Sequence, residues 1–375
     1  MAFALTGARV FDGTSLQDGM AVIVDGKVIT NVLPTSQLPR GIEIQDLKGG
    51  IITAGFIDVQ VNGGGGALMN DNPTVDTVKR IAESHRKFGT TGLLPTVITD
   101  DQTVIDQAVG AVQLAIRSKV PGVLGIHLEG PFLDLDRKGA HPANFIRAMT
   151  ESDVRRIAAI ACGSVMLTLA PNKVPPKFIV ELSQRGILIS LGHAEATVKE
   201  VREALGAGAR AFTHVYNAMS QLNGREPGMV GACLSDSESY CGVIVDGLHV
   251  DDVALKVLFA AKAKDRIMLI TDAMPPAAGG PESFELQGRL ARRVGNRLQL
   301  DDGTLAGSIV TMDEAVRRSL QLGFRLEDAL RTASLVPAHF LRKENELGRI
   351  AKGFIASMVH LSDDLHVNKT WIDGQ

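Results

Sequence analysis

The chain has three cysteines in 375 residues, Cys162, Cys233 and Cys241, with no Cys-x-x-Cys pair among them. A disulfide scaffold or a thiolate-held zinc site needs more cysteines or closer spacing, so both are excluded, and the three read as reduced core residues. An excess of positive charge is also missing, since the formal net charge is -3. A nucleic acid or an anionic membrane would favour a concentrated basic face, which leaves a small molecule as the expected ligand. No apolar run approaches the ~18 residues needed to span a bilayer. The opening Met1-Ala2-Phe3-Ala4-Leu5-Thr6-Gly7 has neither the basic segment nor the long apolar run of a secretory leader, so the expected location is cytoplasmic.

What is present is enough apolar material for a sizeable core, with 45% hydrophobic and 22% charged residues. The length exceeds the roughly 250 residues of a one-domain α/β barrel and leaves about a hundred for something attached to it. The first fifty residues alternate short apolar runs with turns, including an Asp25-Gly26 hairpin signal between Ala21 and Ile29. The tail from Gly353 to Gly374 has the same character, and the two ends are expected to complete one sheet structure.

Between the ends, a unit of apolar β-rich run, polar loop and amphipathic helix repeats, which is the pattern of parallel strands covered by helices. Eight runs carry it: 55–62, 89–98, 123–129, 165–170, 187–193, 211–217, 242–248 and 267–272. Segments 75–88, 197–205 and 253–263 place apolar residues at helical spacing. Eight such units predict an α/β protein with a closed (β/α)8 barrel of the TIM type, whose catalytic groups gather at the C-terminal ends of the strands. Residues 281–302 break the pattern with hairpin-like turns and are expected to form a surface excursion before helices resume over 311–338.

Polar residues recur at the ends of these runs. His127-Leu128-Glu129-Gly130-Pro131 closes the third, Gly192-His193 the fifth, Thr213-His214-Val215-Tyr216-Asn217 the sixth, Asp246-Gly247-Leu248-His249 the seventh and Thr271-Asp272 the eighth. Any one of these histidines alone reads as a loop or capping residue. Together, one carboxylate and two imidazoles from separate strands make a three-ligand set that leaves a fourth position on zinc open, as catalytic sites require. Glu129, His193 and His214 fit that set best, and His127, on the same strand face as Glu129, is the main competitor. Zinc with this set keeps a single net positive charge, which favours hydroxide over water and makes metal-held hydroxide the expected nucleophile. An amide also needs a proton delivered to its nitrogen, and Asp272 is the expected general base and acid. Its plainer reading is a turn cap in Thr271-Asp272-Ala273.

A second group suits an anionic, polar ligand. Asn217, Ala218, the segment Asn223-Gly224-Arg225-Glu226-Pro227-Gly228 and His249 follow the sixth and seventh runs. Arginine beside backbone N–H groups makes a phosphate cradle, although Arg225 equally suits a pairing with Glu226. His141, in Lys138-Gly139-Ala140-His141, can stabilise a developing oxyanion over a substrate carbonyl or stand as an ordinary surface histidine. Asn62-Gly63-Gly64-Gly65-Gly66 lacks the spacing of a nucleotide loop and reads as a tight turn beneath the site.

These segments resemble the N-acetylglucosamine-6-phosphate deacetylase family of the amidohydrolase superfamily along nearly the whole chain. The likeness also runs through Ala54-Gly55-Phe56-Ile57-Asp58-Val59-Gln60-Val61-Asn62 and Leu305-Ala306-Gly307-Ser308. Asn217-Ala218-Met219 and Gly224-Arg225-Glu226-Pro227-Gly228 are its most specific blocks. The resemblance implies hydrolysis of the acetamide of N-acetyl-D-glucosamine 6-phosphate to D-glucosamine 6-phosphate and acetate, in amino-sugar catabolism. It implies a barrel over residues 53–343, flanked by a small β-sandwich built from residues 1–52 and 344–375. One divalent metal ion per subunit, taken as Zn2+, would sit on Glu129, His193 and His214, with Asp272 as the acid/base and His141 on the acetamide carbonyl. Asn217, Ala218, Arg225 and His249 would hold the sugar phosphate, with Gln60, Ala306 and Gly307 also facing the substrate. Such enzymes resemble one another in forming homodimers, so Arg225 can act across an interface.

One departure from the wider superfamily bears on metal count. Where many members carry His-x-His on the first strand, this chain has Gln60 and Asn62, whose neutral amide oxygens are weak ligands. A single metal is therefore expected, with no bridging carboxylated lysine. A ring-amide hydrolase would be expected to show both missing features. The galactosamine epimer stays open as a substrate, because discrimination at one hydroxyl rests on loop geometry. A catalytically silent sugar-phosphate-binding relative is the alternative from another class, and it would have no need of an open metal site.

Overall fold

Strands covered by helices on their outer face and packed against one another within need apolar residues on both sides, and each of the eight runs supplies them. The computed structural model describes residues 2–375. In it eight strands stand parallel and in chain order: β1 (Phe56–Val61), β2 (Thr90–Ile98), β3 (Gly125–Glu129), β4 (Ser164–Leu169), β5 (Leu188–Leu191), β6 (Ala211–Phe212), β7 (Tyr240–Val243) and β8 (Ile267–Leu269). Helices α1 (Val75–Arg86), α2 (Gln102–Arg117), α3 (Glu151–Ala158), α4 (Pro176–Gln184), α5 (Val198–Gly206), α6 (Gly228–Ser235), α7 (Asp252–Ala261) and α8 (Met312–Gln321) follow the strands in turn. Local signals start several of them. Thr197 and Glu200, for example, cap each other's backbone N–H at the head of α5.

The ladder is continuous from β1 to β8 but does not join those two strands to each other. The barrel closes there through residues just past β8, where Asp272 N–H donates to Gln60 O (2.9 Å) and Gly63 N–H to Ala273 O (2.8 Å). The sixth run is shorter as a strand than its apolar residues suggested. Its backbone leaves the extended region at His214 (φ 30°) and Tyr216 (φ 78°), so the polar half of the run belongs to the loop.

The chain ends meet as expected. A five-stranded sheet joins residues 9–11, 16–17 and 51–54 with 358–361 and 367–371, and a four-stranded sheet over residues 3–46 lies beside it. Leu5, Val10, Val22, Ile52, Met358 and Trp371 fill a common small core. Gly26 adopts φ 56° in the turn after Asp25.

Residues 283–300 correct one expectation. They form a three-stranded antiparallel sheet, as the hairpin signals implied, but it is more than a surface excursion. Its apolar face needs cover, and Leu286, Leu298 and Leu300 find it against Leu68, Ile98, Met274 and Ala306 at the strand ends. All three cysteines are free and buried. Among the described residues no helix is long and apolar enough to cross a membrane.

Candidate active site

The strands end on unusual backbone. His193 (φ 49°), His214 (φ 30°), Ala218 (φ 50°) and Asp272 (φ 50°) are all left-handed without being glycine. Such conformations cost of order 1–3 kcal/mol each and persist only where surroundings over-determine them. Here the surroundings do so through main-chain bonds: Asp134 N–H donates to His193 O, Val215 N–H to Gly242 O, and Ser308 N–H to Asp272 O, each at 2.9 Å. Several independent strained residues thus share one mouth of the barrel.

Glu129, His193 and His214 converge there, all buried, with one ligand atom of each within 4.8 Å of the others. Glu129 Oε1 lies 3.2 Å from His193 Nε2 and 3.0 Å from His214 Nε2, and the two Nε2 atoms are 3.0 Å apart. No other group of three histidine, cysteine or acidic residues converges in this way among the described residues. The triangle suits a divalent cation. Three electron-pair donors in mutual contact cannot all be satisfied by the protons available, and tetrahedral zinc ligands stand about 3.3 Å apart, close to the separations seen. His193 Nδ1 donates to Arg137 O (3.0 Å), which leaves its Nε2 lone pair facing the cluster. Burial opposes charge on Glu129, but the two imidazoles at its Oε1 hold its carboxyl well below the usual range.

His127 does not join the set. Two residues earlier on β3, it sits about 6.6 Å further down the strand. Its Nδ1 meets Thr96 Oγ1 (3.2 Å) and its Nε2 meets Thr168 Oγ1 (2.8 Å), while burial lowers its pKa to about 4 and keeps it neutral.

Asp272 faces the cluster. Its Oδ1 accepts from Asn62 Nδ2 (2.6 Å) and Gln60 Nε2 (3.2 Å), and the same Gln60 amide donates to Glu129 Oε1 (3.1 Å). Burial, then the Glu129 charge, push the Asp272 carboxyl up to about 6. Gln60 was expected against the substrate. It is instead 1% exposed and absent from the cleft wall, tying two carboxylates together, while Asn62 takes the wall position.

A cleft of about 400 Å3 opens above these groups. Glu129, His193, His214 and Asp272 reach it from below, and His141, Asn217, Ala218, His249, Ala306 and Gly307 form its sides. His141 is buried, and burial pulls its pKa well below the usual imidazole range. Its Nδ1 lies 3.4 Å from the Thr99 N–H and 2.8 Å from Thr99 Oγ1, so with Nδ1 accepting, Nε2 carries the proton. His249 Nδ1 donates to Asp246 Oδ2 (2.7 Å) and Asn217 Nδ2 to His214 O (3.2 Å). Gly307 is required at φ 71°, because a Cβ there would come within 2.8 Å of Asp272 O. Arg225 is not brought to this cleft within one chain and stands exposed on its loop.

Sequence reasoning did not name Ile98, Met274, Leu286 and Arg137, which also line the cleft. The apolar three carry no chemical signature. Arg137 offered one, as a cation four residues before His141.

The amidohydrolase family profile matches residues 51–375 and the NagA composite domain matches residues 2–52. The chain belongs to the amidohydrolase family. Within it, this amidohydrolase is 40% identical over 372 residues to the N-acetylgalactosamine-6-phosphate deacetylase of Shewanella sp. (strain ANA-3), covering 98% of this chain and 94% of that one. The crystal structure of N-acetylglucosamine-6-phosphate deacetylase from Pasteurella multocida superposes with a TM-score of 0.97 at 33% identity, covering 100% and 99% of the two chains. A mutant N-acetyl-D-glucosamine-6-phosphate deacetylase from Mycobacterium smegmatis, solved in complex with N-acetyl-D-glucosamine-6-phosphate, superposes at 0.93 with 28% identity, covering 100% and 98%. Amidohydrolases place their metal at the C-terminal mouth of the barrel, where this chain has a cluster fit for one.

Proposed function

We propose that this amidohydrolase hydrolyses the acetamide of N-acetyl-D-glucosamine 6-phosphate, releasing acetate and D-glucosamine 6-phosphate. The observation that carries the reading is the approach of Glu129, His193 and His214 to one point beneath a cleft, with Asp272 beside them and tied to Glu129 through Gln60. These three residues would hold one divalent ion, Zn2+ being the metal whose ligand preferences they fit. When bound, that ion supplies Lewis acidity for the carbonyl and for an attacking water.

The chain's own residues account for the proton traffic. Asp272, with Oδ1 held by Asn62 and Gln60, keeps Oδ2 free to take a proton from the attacking water. It then hands that proton to the amide nitrogen as the C–N bond breaks, so the leaving group departs as an amine and the carbonyl carbon keeps the water oxygen. His141 donates from Nε2 to the oxygen on which negative charge develops. Asn217, Ala218 and His249 receive the sugar phosphate. Arg225 stands outside the cleft of its own chain, so we infer that it completes the phosphate site from a second copy in a homodimer. We further take residues 1–52 and 344–375 as one sandwich domain around a barrel of 53–343, and place the enzyme in the cytoplasm, where three unpaired buried cysteines stay reduced.

The 40% identity to an N-acetylgalactosamine-6-phosphate deacetylase favours a second reading, with the C4 epimer as substrate and the same chemistry. The test is acetate release from N-acetylglucosamine 6-phosphate, its unphosphorylated form and the galactosamine epimer, each with and without chelator and added zinc. Chelator-sensitive release that needs the phosphate is the expected result. Turnover of the epimer alone would change the substrate, and turnover of none would remove the reading.

A further inference from the structure

The barrel's one seam without a strand ladder lies between β1 and β8, and a side chain supplies hydrogen bonds there. Asp58, on β1 and fully buried, accepts the Gln60 N–H (3.2 Å) and Thr271 N–H (3.3 Å) on Oδ1 and the Thr271 hydroxyl (2.5 Å) on Oδ2. Buried N–H groups must find acceptors, and here one carboxyl satisfies two of them, one on β1 and one just past β8. Both residues it grips bear on Asp272. Gln60 donates to the Asp272 carboxylate through its side chain and accepts the Asp272 N–H through its carbonyl. Thr271 precedes Asp272 in the chain, and its carbonyl is fixed in turn by Ser308 Oγ (2.5 Å). The next residue along is the one held at φ 50°.

We propose that Asp58 is a positioning residue for proton transfer, locking through Thr271 the left-handed turn that presents the Asp272 carboxylate to the cleft. This rests on the reading of Asp272 as proton carrier. Asp58 itself does not line the cleft, so it acts only through its neighbours. Burial pushes its carboxyl up to about 7, so a neutral side chain of the same shape can stand in for it. Asparagine would keep an acceptor for both N–H groups and place its amide against the Thr271 hydroxyl.

The experiment compares Asp58→Ala, Asp58→Asn, Thr271→Val, Thr271→Ser and Asp272→Asn, each loaded with zinc, by kcat, KM, Tm and metal content per chain. Asp58→Ala and Thr271→Val are expected to lose on the order of tenfold or more in kcat, the scale of a displaced catalytic group, with KM and metal content kept within about twofold. Asp58→Asn and Thr271→Ser are expected to restore most of the rate. Full kcat in Asp58→Ala and Thr271→Val would overturn the proposal. So would losses that follow Tm and metal content without rescue by asparagine or serine, since those belong to a merely structural seam. If Asp58→Ala does not fold, Thr271→Val decides, because it leaves the carboxyl in place. An unimpaired Asp272→Asn removes the proton-carrier reading itself, whereas an inactive Asp272→Asn beside intact seam variants removes only the positioning role.

Discussion

Replacing Asp272 by asparagine separates the chemistry of the carboxylate from its place in the fold. The asparagine oxygen can still accept from Asn62 and Gln60, so the turn and the barrel seam should survive. What is lost is the group that takes and returns a proton, a contribution of about 10²–10⁴ in rate, or roughly 3–5 kcal/mol of barrier. The pH dependence has a definite sign. Burial and the Glu129 charge raise the carboxyl to about 6, and a bound cation lowers it, so the acid limb of the wild-type profile should lie at or below about pH 6. At about pH 7.5 a group titrating near 6 is ionised by about 30 to 1, and by about pH 5 only one molecule in ten is. The assay is acetate release across pH, with metal content and substrate affinity measured on the same samples. Asp272→Asn should bind metal and substrate within a few-fold of wild type, with kcat reduced at least about a hundredfold and the acid limb absent. A variant within about threefold of the wild-type rate, or a wild-type profile flat down to about pH 4, would refute the reasoning.

Three further outcomes follow from the geometry. Glu129→Gln leaves the imidazole pair without its anionic partner, so zinc affinity should fall by at least about tenfold by competition with a chelator, and activity should return only at raised zinc. Arg225→Ala should raise KM for the phosphorylated substrate while leaving any residual turnover of the unphosphorylated sugar unchanged; an equal loss on both substrates would count against a phosphate contact. Asp153 is buried, which opposes its charge, but paired bonds from Arg147 at 2.7 Å and the Thr150 cap lower its pKa overall. A depressed carboxyl stabilises the fold above its unfolded value of about 4 and loses that contribution as pH falls through the folded value. With Arg147 partly exposed, Asp153→Asn should cost about 2 kcal/mol, or about 2–3 °C in Tm, from neutral pH down to about 5, with the gap closing only in stronger acid.

The barrel was legible because its signals are local and repeated. Eight apolar runs, five of them closing on polar residues, specify parallel strands whose C-terminal ends must share one face, and that topology brings Glu129, His193, His214 and Asp272 together whatever the details of packing. The hairpin at Asp25-Gly26 was equally readable, since it depends on residues a few positions apart.

Tertiary structure decided matters that hinge on a few ångströms or on surfaces far apart in the chain. Glu129 and His127 share a face of β3, and only the depth of each within the barrel separates the ligand from a neutral histidine held by two threonines. Gln60 and Asn62 are equivalent by spacing, yet closure at the β1–β8 seam makes one a tie between carboxylates and the other a wall of the cleft. The sheet over residues 283–300 was visible as hairpins, but its contact with the strand ends depends on an apolar face that any surface could have covered. Strand periodicity and turn chemistry are set by neighbouring residues and are written in the sequence. Depth in the barrel, seam pairing and the cover over the cleft are set by how distant segments meet, and they take form only when the chain folds.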